Sequence, residues 1–595
     1  MELESANAFV VSLDAERTWF RYHHLFADLL RLELRRRLPE EVATLHRRAS
    51  EWFIVHGQVA ASVRHTQAAG DWHQAARLLA DHAFSLTLDG QARTMQALLG
   101  AFPPGEDHPE LALVRATVGI ASGRLDEAAT HLRSVEKYAE TGRHTAQPSR
   151  QRRLRIAVAA LNLSLAGRSG NFAGVIEQAN FLAAPPGEPS DKDISLDNDV
   201  RAIALMNLGI ARTWSLGHKD AVDAERHLRD AAVLAREIGR PYLEVACLAR
   251  LGYASLVLHS FATTQRHCRE AIALAEHYGW GSEPVIAPAL VMLAGTLVWT
   301  GEFDEADLWL RRTEQALHTD AGPDTRLLLH QTAGVLHAGR GRHREALQEF
   351  AGAEDLATRL TDLHPLASRV TGWFLSTKAR LEMTAEARAA LSALDERADS
   401  AELRNARATI CLMDGDPAGV VSVLRDVLAG TTPAVAYATV VEANLLAGIA
   451  HRQLGDQRAA NQAAERALAL AEADRLILPF ALTGAAELLE SLPRHETAHA
   501  ALLADILDVL RGAIPTPDDQ FPVPPLVALS PGELKVLRYL PTNLSRPEIA
   551  GELCVSVNTV STHLRNIYAK LQVSDRSSAV QRARDLRLLA VDRRR

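Results

Sequence analysis

The chain has 595 residues, 47% apolar and 23% charged, with four Cys, 25 Pro and 35 Gly, a composition that excludes a disordered chain or a disulfide scaffold. Cys247, Cys268, Cys411 and Cys554 are scattered without a CxxC pair, which excludes a Cys zinc site and fits a reduced cytoplasmic compartment. The net charge of −8 is uneven: from Leu529 onward twelve Lys/Arg face six Asp/Glu, leaving −14 on the preceding 528 residues, so the tail is suited to a polyanion partner or is simply a frayed basic end.

The chain opens Met-Glu-Leu-Glu, acidic where a signal peptide would be basic. Phe9–Leu13 and Thr18–Tyr22, separated by a polar turn at Asp14–Arg17, predict a β-hairpin, followed by a helix carrying His23, His24, Leu25, Phe26, Leu29 and Leu30. These residues resemble the end of the winged-helix segment that joins a STAND-type ATPase to the repeats of MalT-like regulators. The histidine pair is expected to pack, because no third ligand stands nearby at metal spacing.

From about residue 46 to 510 a short phrase recurs: small residues, Gly, a polar or charged residue, then an Ala-rich amphipathic run. It stands at Gly70, Gly123, Gly170, Gly217, Gly301, Gly341, Gly415 and Gly455, with degenerate copies near Ser260 and Thr384. Gly ends one helix in a left-handed cap, the acidic residue after it starts the next, and Ala lets the paired helices approach. No such pair can bury its apolar face alone, so the pairs are expected to stack as a solenoid. The phrases resemble tetratricopeptide repeats in a long, loose form; one large irregular helical bundle is the alternative. Pro284–Gly301 is uncharged, but its Pro, Gly and Thr residues and its neighbours predict a buried solenoid helix and no membrane span. Ala101–Glu110 and Ala184–Val200 are expected to be surface loops.

Residues 511–528 hold five Pro and predict an extended tether. Beyond it, Ser530-Pro-Gly-Glu533 and Ser545-x-x-Glu548 are capping boxes, and Ser556 caps a third helix to about Leu571. On that helix Val560, Leu564, Ile567 and Leu571 form a narrow apolar stripe when each residue is turned by about 100°. Asn558, Ser561, Thr562, Arg565 and Ala569 take the opposite side, with Thr559, His563 and Lys570 on a flank. Such a face suits insertion into a major groove, and it also suits plain solvation.

The runs Leu529-Ser-Pro-Gly-Glu-Leu-Lys-Val-Leu-Arg538, Leu544-Ser-Arg-Pro-Glu-Ile-Ala-Gly-Glu-Leu553 and Val557-Asn-Thr-Val-Ser-Thr-His-Leu-Arg-Asn-Ile-Tyr-Ala-Lys-Leu571 resemble the LuxR-type DNA-binding domain. The continuation Val573–Val580 resembles its fourth, dimer-forming helix. The resemblance implies base contacts from Ser561, Thr562 and Arg565, with Asn558 on the same face, and backbone contacts from Ser545, Arg546, Thr559, His563 and Lys570. Three positions depart from the usual pattern: Ser561 replaces a Lys, Asn543 a Gly, and Gly532 a common Arg. The loss of Lys at 561 bears on affinity or site preference.

None of the six Lys is preceded by Gly and followed by Ser or Thr, so no P-loop can be built, and no Gly-x-Ser-x-Gly or HExxH motif occurs. The expectation is an all-α protein: a long TPR-like solenoid, then a four-helix LuxR-type helix-turn-helix domain, with a short N-terminal β-hairpin remnant of a winged helix. Its domains are 1–45, 46–510, the linker 511–528, and 529–595. It is expected to be no enzyme, to hold no cofactor or metal and to cross no membrane. Its expected function is transcription regulation on double-stranded promoter DNA, as a homodimer when bound, with a small-molecule or protein effector on the solenoid. The alternatives are a repeat scaffold for other proteins and the carboxyl fragment of an ATP-dependent MalT-like switch.

Overall fold

A computed structural model describes residues 10–12, 20–22, 24–104, 108–141, 148–182, 194–213, 218–258, 261–317, 323–358, 366–394, 399–492, 497–512, 531–541, 544–553, 555–571, 573 and 575–585. The chain forms two compact units, Met1–Leu165 and Ala166–Arg595.

The first unit begins with strands β1 (Val10–Ser12) and β2 (Phe20–Tyr22), paired antiparallel with Val11 opposite Arg21. Helices follow, and they bury two clusters. Leu79, Met95, Leu98 and Leu111 centre one; Leu113, Ile120, Leu132 and Leu161 centre the other. The side chains of His23 and His24 lie outside the described residues, and among those described no group of three His, Cys, Asp or Glu could hold a metal.

In the second unit successive helices pair as hairpins, among them 287–299 with 303–316, 323–339 with 343–358, and 437–453 with 457–471. Gly70, Gly123, Gly170, Gly301, Gly341, Gly415 and Gly455 all have φ between +71° and +82°, the left-handed helix end that the recurring phrase predicts. Gly217 and Ser260 lie outside the described residues. In the degenerate copy near Thr384 the left-handed place is taken by Glu382, at φ +63°. Asp416 and Asp456 start the next helices by accepting from Gly419 N (2.9 Å) and Ala459 N (3.0 Å). Ala460, Ala464, Ala467 and Ala471 are fully buried, so the small side chains do bring the helices close. An all-α architecture with a long helical repeat region and a C-terminal helix-turn-helix results.

Pro284–Ile286 forms a 3-10 turn and Ala287–Trp299 a helix buried nearly all round. Among the described residues no helix is long and apolar enough to cross a membrane. One expected loop needs correcting. Of Ala184–Val200, residues 184–193 lie outside the described residues, but a helix already starts at Ile194. Its apolar positions at Leu196, Val200 and Ile203 keep helical spacing through the acidic stretch.

After the last hairpin the chain does something the periodicity does not foretell. The segment Leu476–Gly484 turns back across the ends of much earlier helices. Ile477 N donates to Trp299 O at 2.8 Å, and Asp474 accepts from Phe261 N at 3.2 Å and Tyr437 Oη at 2.6 Å. The approach depends on Gly301 and Gly339, where an added Cβ would come within about 3.0 Å of Ile477 and Leu478 side-chain atoms. Leu476, Leu478 and Phe480 are fully buried there.

Candidate nucleic-acid interface

The C-terminal module consists of α1 (Pro531–Arg538), α2 (Arg546–Glu552), α3 (Val557–Leu571) and α4 (Arg576–Asp585). Residues 513–530, which include most of the tether and Ser530, lie outside the described residues. α2 starts as its sequence predicts: Glu548 Oε2 accepts from Ser545 N (2.7 Å) and Ser545 Oγ (2.6 Å), holding its carboxyl below the usual range. α3 starts at Ser556, whose Oγ accepts from Thr559 N at 3.1 Å. Asp575 caps α4 through Ser578 N at 2.9 Å.

The predicted apolar stripe of α3 is the module's core. Val560, Leu564, Ile567 and Leu571 are buried against Val536, Leu537 and Leu540 of α1 and its end, Ile549 of α2, and Ala579 and Ala583 of α4. This packing turns the other face of α3 outward. Asn558, Thr562 and Arg565 are exposed, and Ser561 and Thr559 are half-buried. Thr562 Oγ1 donates back to Asn558 O at 2.9 Å. No ion pair holds Arg565 among the described residues, and the side chain is exposed on the helix. Ser545 and Arg546 are exposed at the start of α2. Val557, one turn before Val560 on the stripe side of the helix, is 44% exposed at the start of α3.

Two flank residues also make contacts within the module. His563 is half-buried with its ring over Gly532: an added Cβ there would lie 3.0 Å from His563 Cε1. The Gly in place of the usual Arg is what makes room for that ring. Lys570, expected on the phosphate flank, instead donates to Glu533 Oε2 at 2.6 Å, and the Glu533 side chain is only 4% exposed. A buried carboxylate left without its cation is costly. We therefore expect Lys570→Ala to destabilise the module by about 2 kcal/mol, measured by hydrogen exchange of peptides from α1 and α3. If stability held and only the salt slope of DNA binding fell, by about one unit, Lys570 would be a phosphate contact after all.

Arg576 is the residue sequence reasoning missed. Its guanidinium donates to the carbonyls of Leu540 (2.9 Å), Leu544 (2.7 Å) and Tyr539 (3.0 Å), gathering the end of α1 and the turn into α2. These carbonyls are the ones a helix end leaves unsatisfied. A signal existed: a cation in the first turn of its own helix is electrostatically misplaced, so it must serve a neighbour. Arg576→Ala is expected to cost about 2–3 kcal/mol and Arg576→Lys about half of that, read by urea unfolding of the module's protected amides.

Residues 527–583 match the family described as bacterial regulatory proteins, luxR family, and residues 1–42 match the MalT winged helix domain. The HTH-type transcriptional regulator MalT of Serratia proteamaculans (strain 568) is 25% identical over 98% of this chain and 66% of its own length. That of Klebsiella pneumoniae (strain 342) is 24% identical with the same coverage. The chain thus spans 66% of the length of these curated relatives. Among solved structures, a Rap protein complexed with competence and sporulation factor aligns at 12% identity and TM-score 0.43, covering 61% of this chain and 98% of its own.

Proposed function

On the premise that the chain is homologous to MalT-type regulators and carries a LuxR-type helix-turn-helix, we propose that it is a cytoplasmic transcription regulator acting on double-stranded promoter DNA. The observation that carries this reading is α3. One side is sealed into the core formed with α1, α2 and α4, and the other offers Asn558, Ser561, Thr562 and Arg565. In this reading those four residues read base edges. Ser545, Arg546, Thr559 and His563 position the backbone. Lys570 supports the interface from behind, by holding α3 to α1 through Glu533.

The domain plan that follows is a winged-helix remnant at 1–45, a TPR-like repeat region at 46–510, a Pro-rich tether at 511–528 and the DNA-binding domain at 529–595. An effector on the repeat region shifts self-association, and with it the presentation of two DNA-binding domains joined through α4 to paired half-sites. Fluorescence anisotropy of the chain against upstream DNA, with a scrambled duplex beside it, tests the reading. Sequence-selective binding whose affinity falls steeply with salt is expected. Absence of any DNA binding at low salt overturns it in favour of the scaffold alternative.

A further inference from the structure

We propose that helix Pro39–Val55 is a self-association surface, pairing antiparallel with the same helix of a second copy of this chain. The proposal goes beyond the DNA reading above and does not depend on it.

One face of this helix is used within its own unit. Ser50 Oγ hydrogen-bonds with Ser62 Oγ (2.9 Å) and Thr66 Oγ1 (2.7 Å) of helix Val59–Ala68. His46 Nδ1 lies 2.8 Å from His65 Nδ1, and Phe53 stacks on the His65 ring. A second apolar face is left over. Leu38, Leu45 and Trp52 follow one another at intervals of seven residues and are 49%, 41% and 44% exposed. Half-buried Val42 and Ala49 stand between them, so the spacing alternates between four and three. That is the spacing of a coiled-coil seam. Single exposed apolar residues are ordinary, but a stripe kept in register along a whole helix marks a contact surface. Trp52, with His56 stacked on its ring at 3.8 Å between centroids, supplies the aromatic anchor such surfaces favour.

The charges beside the seam name the occupant and its direction. Glu41, Arg48 and Val55 each precede a smaller member of the seam and flank it on the solvent side. Glu41 and Arg48 are exposed, and neither makes an ion pair among the described residues. Two turns apart on one helix, about 10 Å, they cannot reach each other. In a parallel pair this flank would face the opposite flank of the second copy, where His46 and Phe53 are already turned into their own unit. In an antiparallel pair the flank faces itself. Glu41 then meets the partner's Arg48 and Arg48 meets the partner's Glu41, two ion pairs about one twofold axis that passes beside Leu45. In the same register Trp52 of each copy covers Leu38 of the other. The helix has 17 residues and is about 26 Å long, so the area it buries is below that of a permanent interface. Pairing is therefore reversible and set by concentration.

The test uses the full chain without DNA. Leu45→Cys places a thiol beside the axis and should link two copies through a disulfide when diamide is the oxidant. The parent chain, with Cys247 and Cys268 buried, should link much less. Val55→Cys should not link, because antiparallel pairing sets the two copies of that position about 30 Å apart. In sedimentation velocity, Glu41→Arg and Arg48→Glu should each raise the dimer dissociation constant roughly ten-fold by opposing like charges. The double variant, Glu41→Arg with Arg48→Glu, should restore the parent value. Both side chains are exposed, and unchanged thermal melts confirm that the variants fold. A chain that stays monomeric at every concentration overturns the proposal. So does a dimer that survives both single reversals unchanged, which is held elsewhere. Equal linking by Leu45→Cys and Val55→Cys, or a double variant no better than the singles, overturns the antiparallel pairing. None of these measurements involves DNA, so their failure leaves the regulator reading standing.

Discussion

Arg565→Ala is expected to weaken binding to the specific operator roughly ten- to a hundred-fold while changing non-specific binding much less. The side chain is exposed on the outward face of α3, unclaimed by any ion pair among the described residues. Its neighbours on that face are short: Asn558, Ser561 and Thr562. A bidentate Arg–guanine contact is worth about 1–3 kcal/mol of discrimination, and Ser561 leaves no second cation to compensate. The loss should concentrate at one base pair per half-site. Titrations against operator and scrambled duplexes at two salt concentrations measure it. Equal losses on both duplexes would make Arg565 a phosphate clamp and remove it from the groove floor.

Glu442→Gln should change the shape of the stability–pH curve. Burial, opposed by Arg369 and by hydrogen bonds from Trp373 and Asn405, pushes the folded-state Glu442 carboxyl from 4.5 up to about 7. The folded state thus holds a proton that the unfolded chain has already released. Stability from this group is complete below about pH 4.5 and is lost as pH rises through about 7. The shift corresponds to roughly 3 kcal/mol at most. Arg380 and His343 line one cavity with Glu442, Glu402 raises the Glu442 carboxyl further, and His343 is moved the opposite way, lowered by burial and by Arg380. The difference between Glu442→Gln and the parent chain isolates the carboxyl: near zero at about pH 4, with the variant more stable by up to about 3 kcal/mol at about pH 8. Parallel urea-unfolding curves at both pH values decide it; a constant difference would show that Glu442 ionises normally.

What was legible in the chain beforehand is what is written locally. Ser545 with Glu548, Ser556 before Thr559, and the stripe from Val560 to Leu571 are each contained within a few turns of one helix, and the structure places them as expected. The recurring Gly is equally local, since a left-handed residue needs no distant partner. Long-range partners leave no such trace. Nothing near Lys570 announces Glu533, 37 positions away: Glu533 reads as part of a helix cap, and Lys570 as a solvated cation near a helix end. The same holds for Glu442, which reads as one polar residue of a helix and shows its buried company only once Arg369, Trp373 and Asn405 are brought beside it. Ile194–Val200 fails for another reason: its acidic residues outweighed an apolar spacing that the helix follows.

The return of Leu476–Gly484 has a mechanical consequence. A repeat array is ordinarily a spring: each unit touches only its neighbours, so it stretches, twists and melts one unit at a time. Here Phe261 and Trp299 are tied to Asp474 and Ile477, over 213 residues in the first case. The spring is clasped. Strain applied at one hairpin between them reaches the far end through the clasp as well as along the stack, and the intervening repeats melt together as one cooperative block.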